Sequence, residues 1–292
     1  MDARLLGPDD AALLEEFLRA HRDSSMFLLR NLRRAGLADD GERYEAAYAG
    51  SFGGGKLQGV VAHCWNGFLL LQAPEGLEPA LRCVLAHTKQ QHRDRNISAF
   101  IGPTSQVQQA RKALGLSAAP TRPSDSEWLY GLDLAELRPP EALRTGFLEY
   151  RLPLPREHAL LCEWRMAYEV ESLGVEPGDE LREAAEQYVS DQIEAGQLWV
   201  AVTRGTPVSM TAFNAALPDM VQLGGTYTPQ VQRGRGFAQV AVAGALLAAR
   251  ERGVQRAVLF TSNPSAVRTY ERVGFRRVGD YAVQVLLNAA QP

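Results

Sequence analysis

The chain has 292 residues, 46% of them hydrophobic and 22% charged, with a formal net charge of -3. That length is long for one compact core and comfortable for two domains, and the composition is that of a globular protein. The small charge, with no basic cluster interleaved with aromatics, argues against a nucleic-acid partner.

Cys64, Cys83 and Cys162 are odd in number and far apart, and neither they nor the five histidines show metal-ligand spacing. Buried reduced thiols and no metal are therefore expected. Met1-Asp2-Ala3-Arg4 lacks the apolar core of a signal peptide, and no apolar run approaches bilayer length. A cytoplasmic protein without a membrane partner is expected.

Strand and helix signals alternate, which favours a sheet covered by helices. Asp9-Asp10 caps an amphipathic run to His21, and Ser24-Ser25 opens a second from Met26 to Ala35. Strands are expected at Tyr44–Phe52, Gln58–Trp65 and Gly67–Gln72, a helix at Glu78–Gln91 and a strand at Ile97–Ile101. A helix Gln106–Leu114 ends at Gly115, and Ala118–Ser126 reads as a loop. Arg138-Pro139-Pro140 interrupts again, so a domain boundary is placed near Thr145, giving domains 1–145 and 146–292.

The second half repeats this order. Tyr150–Leu154 is strand-like, Glu157–Leu173 and Asp179–Ala195 are helical, and Gln197–Thr203, Val208–Ala215 and Met220–Thr228 are strands. The helix Phe237–Arg252 ends at Gly253, Arg256–Thr261 is a strand, Pro264–Arg272 is a helix ended by Gly274, and Tyr281–Leu287 is a last strand. A strand–capped helix–glycine pattern at Phe100–Leu116 recurs at Leu259–Phe275, which suggests an internal repeat.

The chemistry-bearing stretch runs from Thr226 to Ala238, straight into an almost wholly apolar helix. Gly234 and Gly236 let the backbone turn tightly, and the helix start adds unpaired N–H donors and a positive dipole end. Together they make a phosphate cradle, with Arg233 and Arg235 beside it. The loop lacks the Lys-Ser/Thr ending of a P-loop and is not GxGxxG. Further on, Asn263 is an N-cap before Pro264, and Tyr270 lies two turns later, so both can look toward one cleft. A cap and a packed aromatic are the plainer alternatives for that pair.

Arg233-x-x-Gly236-x-Ala238 after a strand, followed by Asn263 and Tyr270-Glu271-Arg272-Val273-Gly274-Phe275, resembles the GNAT (GCN5-related N-acetyltransferase) superfamily. The resemblance implies an α/β chain with a mixed α+β sheet. It would form two tandem GNAT-like domains, each a central, mostly antiparallel sheet flanked by helices. It also implies a sheet that splays open after Thr228 to admit the pantetheine arm of acetyl-CoA. Thr226, Tyr227 and Thr228 would flank that arm, and Arg233, Gly234, Arg235, Gly236, Phe237 and Ala238 would surround the pyrophosphate, with Asn263 nearby. Tyr270 would protonate the departing thiolate, since a phenol stays protonated at neutral pH.

Many members carry a glutamate on a central strand, but Val221–Tyr227 offers Gln222 and no carboxylate. Glu169, near Trp164 and Tyr168 on the first helix of this half, is the candidate carboxylate for the acceptor pocket and for catalysis. A solvated helix carboxylate is its other reading. The first half resembles a second such domain without a cofactor site: Leu70–Glu78 has no paired glycines and carries two acids. Aligning Gly115 with Gly274 puts Arg111 where Tyr270 stands and Thr104 where Asn263 stands. The expected activity is acyl transfer, from acetyl-CoA to a small-molecule or protein amine, by a monomer or homodimer. The alternative is a non-catalytic acyl-CoA sensor.

Overall fold

The computed structural model describes residues 1–122 and 127–291, so the end of the loop expected over Ala118–Ser126 lies outside the described residues. The chain forms two compact units: Met1–Trp128 with Gly279–Pro292, and Leu129–Val278. Among the described residues no helix is long and apolar enough to cross a membrane.

In the first unit the chain makes β1 (Asp2–Leu5), α1 (Ala11–Ala20), α2 (Met26–Ala35), β2 (Ala46–Gly53) and β3 (Lys56–Cys64). It continues with β4 (Phe68–Gln72), α3 (Leu77–Gln91), β5 (Ile97–Pro103) and α4 (Thr104–Ala113). Neighbours β1 to β4 pair antiparallel, and β5 pairs parallel to β4. Leu77, Leu81, Val84 and Leu85, spaced on one face of α3, pack on Val61, Leu69, Leu71 and Phe100 of the sheet.

The second unit begins within β6 (Glu127–Asp133) and continues through α5 (Glu141–Arg144), β7 (Glu149–Arg151), α6 (His158–Leu173) and α7 (Asp179–Glu194). Then come β8 (Leu198–Thr203), β9 (Thr206–Ala216), β10 (Met220–Tyr227), α8 (Phe237–Glu251), β11 (Arg256–Thr261), α9 (Pro264–Val273) and β12 (Arg276–Ala290). Here β7 to β10 are antiparallel neighbours, β11 runs parallel to β10, and β6 lies beside β11. Alternation along β8 sends Leu198, Val200 and Val202 to a core under α6 and α7, and Ala201 to a second core under α8.

The two units follow one plan, and the sheet of the first is completed by a strand from the far end of the sequence. From Gly279 onward β12 belongs to the first unit, where Tyr281–Val285 pairs antiparallel with Ala99–Pro103 of β5. β6, which follows α4 in sequence, lies from Leu129 onward in the second. The compact units thus divide at Trp128 and again at Val278, whereas the boundary expected near Thr145 falls inside the second unit. The cause is β6: Glu127–Asp133 lies between proline-containing stretches and was not among the expected strands.

His63 on β3 is fully buried. Arg95 sits against it, donating Nη1–H to the His63 carbonyl (3.2 Å) and to Asp39 Oδ1 (2.6 Å). Burial first, then the Arg95 charge, pushes the imidazole down to about 4. An unfolded chain, whose histidine titrates near 6.5, then binds more protons than the folded one between those values. Stability contributed by neutral His63 is present above about 6.5 and is lost as pH falls toward 4, on the order of 3 kcal/mol in all. His63→Leu is expected to flatten that part of the profile, measured by urea unfolding at pH 4 to 7. An unaltered slope would remove His63 as its source.

Candidate active site

The site is built where β10 leaves its parallel neighbour. β10 pairs with β11 only over Met220–Gln222 against Arg256–Val258. The opening therefore starts before Gly224, well short of the expected point after Thr228. Two irregularities of the β9–β10 ladder follow this parting. Asn214 is an extra residue on β9, between the Gln222↔Ala215 and Leu223↔Phe213 pairs. One extra residue lies on β10 between the Gly224↔Ala212 and Tyr227↔Met210 pairs. Such a bulge bends its strand and leaves backbone groups unpaired.

Gly224 and Gly225 make this bulge possible. A Cβ on Gly224 would lie 2.0 Å from Asn214 Nδ2, and Gly225 has a φ of +58°, which L side chains rarely adopt. Beyond the bulge two hydroxyl bridges tie β10 to β9. Thr211 Oγ1 and Thr226 Oγ1 are 2.7 Å apart. Ser209 Oγ donates to the Tyr227 carbonyl (2.9 Å) and lies 2.8 Å from Thr228 Oγ1.

From Thr228 the chain turns through Gln230–Gln232 to Gly234 (φ +78°) and Gly236 (φ +80°), the residue that caps α8. Nothing lies within 4 Å of a Cβ built at either glycine. The first helical bond is Val240 N–H to the Gly236 carbonyl (3.3 Å), so among the described residues the amides from Gly234 to Ala238 have no backbone partner. Behind them α8 buries Phe237, Val240, Val242 and Leu246. At about 1.5–3 kcal/mol for each fully buried large side chain, the helix start is held firmly in place. Mid-helix Gly244 serves this packing: a Cβ there would lie 2.3 Å from Tyr150 Cγ on β7.

The two arginines of the loop behave differently. Arg233 donates Nε–H to the Thr228 carbonyl (2.8 Å), and its Nη2 bonds Glu171 Oε2 of α6. Glu171 also accepts the Tyr227 hydroxyl (3.1 Å), and burial together with that carboxylate pushes the phenol up. Arg233 thus braces the loop against α6. Arg235 is exposed and bonds only within the loop, to Gln232 Oε1 (3.3 Å). Glu171 was not among the expected site residues.

Asn263 has the capping geometry its spacing suggested. Its Oδ1 accepts from Ser265 N–H (2.9 Å) and Ala266 N–H (3.5 Å), with Pro264 at the first helical position. Tyr270 is buried on α9, edge-on to Phe275 with ring centroids 5.9 Å apart. On β10, Gln222 is buried with its amide donating to the Leu223 carbonyl (2.8 Å), so that strand presents no carboxylate. Glu169 is half-buried. It is an ion-pair partner of Arg165 one turn earlier on α6, and the guanidinium stacks 3.7 Å from the Tyr188 ring centroid.

The matching junction of the first unit is closed. Gly76 caps α3 with a left-handed φ of +66°, yet a Cβ there would meet Met1 Sδ at 2.3 Å and Ser51 at 2.5 Å. At the end of β4, the Ala73 amide donates to Gln106 Oε1 (2.7 Å), which occupies the edge of β4. Arg111, aligned with Tyr270, bonds the Leu116 carbonyl (2.9 Å) and Gln284 Oε1 (2.7 Å). These residues seal the first sheet. Among the described residues no group of acidic, cysteine or histidine side chains is arranged to hold a metal.

Residues 159–275 match the acetyltransferase (GNAT) family, over the segment that carries the parted strands, the glycine loop and α9. The likeness to that family is confined to this segment of the second unit. An acetyltransferase of Agrobacterium fabrum is 45% identical over 53 residues, a match spanning 18% of this chain and 39% of that relative. Among solved structures, a GCN5-related N-acetyltransferase from Sphaerobacter thermophilus is similar at 16% identity, with a TM-score of 0.59, over 99% of this chain and 96% of its own. A tandem GNAT protein from the clavulanic acid biosynthesis pathway is similar at 14% identity, with a TM-score of 0.55, over 100% and 99%. At such identities the likeness concerns the fold, which is that of two tandem GNAT-like domains.

The two cap glycines give a paired test. Gly236→Ala adds only the left-handed strain of about 1–2 kcal/mol, because its surroundings are open. Gly76→Ala adds the overlap with Met1 and Ser51 and is expected to destabilise more, by denaturant midpoint. Equal losses would contradict the open cradle.

Proposed function

We propose that the second unit is an acyl-CoA-dependent N-acyltransferase that moves an acetyl group from acetyl-CoA to a primary amine. The observation that carries this reading is the run of amides from Gly234 to Ala238 without a backbone partner among the described residues, beside open space at Gly234 and Gly236 and at the fixed start of α8. Five donors at a positive helix end suit a pyrophosphate. The parted strands beside them leave the β11-facing edge of β10 open past Gln222, so that the pantetheine arm can lie there like an added strand, flanked by Thr226, Tyr227 and Thr228.

In this reading the amine attacks the thioester directly. Charge building on the carbonyl oxygen is met by a fixed backbone N–H of the β10 bulge. Tyr270 protonates the leaving thiolate, and Glu169 lines the acceptor pocket. Phe237 and Asn263 frame the cofactor end, Asn263 by setting the start of α9. Arg233 acts by holding the loop to α6, and Arg235 is the cation free to meet phosphate. The first unit, sealed at its own junction, has a structural or substrate-shaping role. Cytoplasmic location and a monomeric or homodimeric state belong to the same proposal.

A second reading, an acyl-CoA sensor without turnover, is favoured by the lack of a carboxylate on β10 and by the pairing of Glu169 with Arg165. Thiol release in the presence of acetyl-CoA and a panel of amines separates the two: tight binding with no release from any amine supports the sensor. For the enzyme, Tyr270→Phe is expected to lower kcat by on the order of 100-fold while the Kd for acetyl-CoA stays nearly constant. An unchanged kcat would remove Tyr270 from the mechanism. Gly236→Glu is expected to abolish acetyl-CoA binding by calorimetry with circular dichroism unaltered. Binding at the unmodified affinity would refute the cradle.

A further inference from the structure

The ion pair on α6 has chemistry left over. Arg165 and Glu169 are 13% and 15% exposed, and they are joined through one nitrogen, Nη2, and one oxygen, Oε1. The guanidinium is stacked on Tyr188, whose hydroxyl donates to Asn214 Oδ1 (3.0 Å), the extra residue of β9. Stacking fixes the plane of the guanidinium and so the direction of its remaining N–H groups. A Cβ on Gly225 would lie 3.2 Å from Arg165 Nη1 and 3.3 Å from the Tyr188 hydroxyl, so both face the bulge. Among the described residues, Nε and Nη1 of Arg165 and Oε2 of Glu169 have no partner. A half-buried guanidinium with free donors favours a ligand that supplies acceptors, and a carboxylate makes the strongest such partner.

We propose that the acceptor is a small amine that also bears a carboxylate, as a free amino acid does. Resting on the acyltransferase reading above, this names its substrate class. The acceptor's carboxylate accepts from Nη1 of Arg165, the nitrogen that faces the bulge, and its ammonium meets the free oxygen of Glu169. After loss of a proton, the amine nitrogen attacks the thioester carbon. The C–N bond forms, the C–S bond breaks, and the thiolate leaves protonated as coenzyme A. One proton is released overall, and nothing is oxidised or reduced. Arg165 is a specificity residue, one helical turn before Glu169. A protein lysine, which carries no neighbouring carboxylate, does not satisfy it.

The test compares amino acids with their carboxamides and decarboxylated amines, following thiol release by the full chain with acetyl-CoA. The expected kcat/KM is on the order of 10-fold or more higher for the carboxylated member of each productive pair. Arg165→Met is expected to erase that preference, chiefly through KM, while Arg165→Lys restores part of it. Calorimetric binding of acetyl-CoA, measured on the same proteins, is expected to be unaltered and reports separately on the earlier reading. Equal kcat/KM within the pairs, turnover confined to protein amines, or an equal loss on charged and neutral acceptors in Arg165→Met would each overturn the proposal. If acetyl-CoA binds but no acceptor turns over, thermal shifts of the coenzyme-loaded protein decide it. Stabilisation by amino acids and not by their amides supports the proposal, and no difference overturns it.

Discussion

The short parallel ladder between β10 and β11 is the constraint on which the site depends. Backbone donors and acceptors inside a sheet are normally paired, and leaving them unpaired is costly. Here the pairing stops at Gln222 and Val258, and the strand beyond it is held from the other side only. The hydroxyl bridges from Ser209 and Thr211 do that holding, which keeps one edge of β10 open without letting the strand collapse. The same parting allows the bulge at Gly224–Gly225. Because the bulge brings Gly225 toward α6 and α7, Arg165 and Tyr188 can approach the backbone there. An opened edge, a close approach and a fixed helix start thus follow from one interruption of pairing.

Much of this was legible in sequence because the signals are local. Gly236 before an apolar helix, Asn263 before Pro264 and Gly274 after Val273 each mark a helix end through its own backbone chemistry. Most elements fall within a few residues of their expected bounds for the same reason. The partners that matter to the site are another kind of fact. Glu171 meets Tyr227 and Arg233, which lie 56 and 62 residues away. On a helix its position looks solvated, since periodicity reports which face is polar and not what stands opposite. Arg233 shows the matching limit, since its charge was visible in sequence and its counter-charge was not. The bulge did leave a trace, because paired glycines inside a strand pattern weaken it unless the backbone must bend.

Strand membership was the least legible feature. A pattern of alternating residues identifies β12, yet nothing in Tyr281–Leu287 says that it completes the sheet of the first unit. β6 illustrates the same limit, since its neighbours in sequence are loops and its sheet lies in the unit that follows. Sequence order fixes a boundary only when each unit keeps its own last strand, and here neither does.

The two cap glycines show how one fold carries a site in one unit and a seal in the other. Gly76 and Gly236 hold nearly the same backbone angles at the starts of corresponding helices. At Gly236 the missing side chain leaves room for a ligand, whereas at Gly76 it leaves room for Met1 and Ser51. A glycine in this position therefore does not by itself mark a cofactor site. What separates the cases is whether protein atoms already fill the space that the absent Cβ frees. Gln106 and Arg111 make the same point, because they bond the backbone and strand groups that a ligand would otherwise meet. The two junctions share a fold and differ in packing: protein atoms fill the space at Gly76, and none fill it at Gly236.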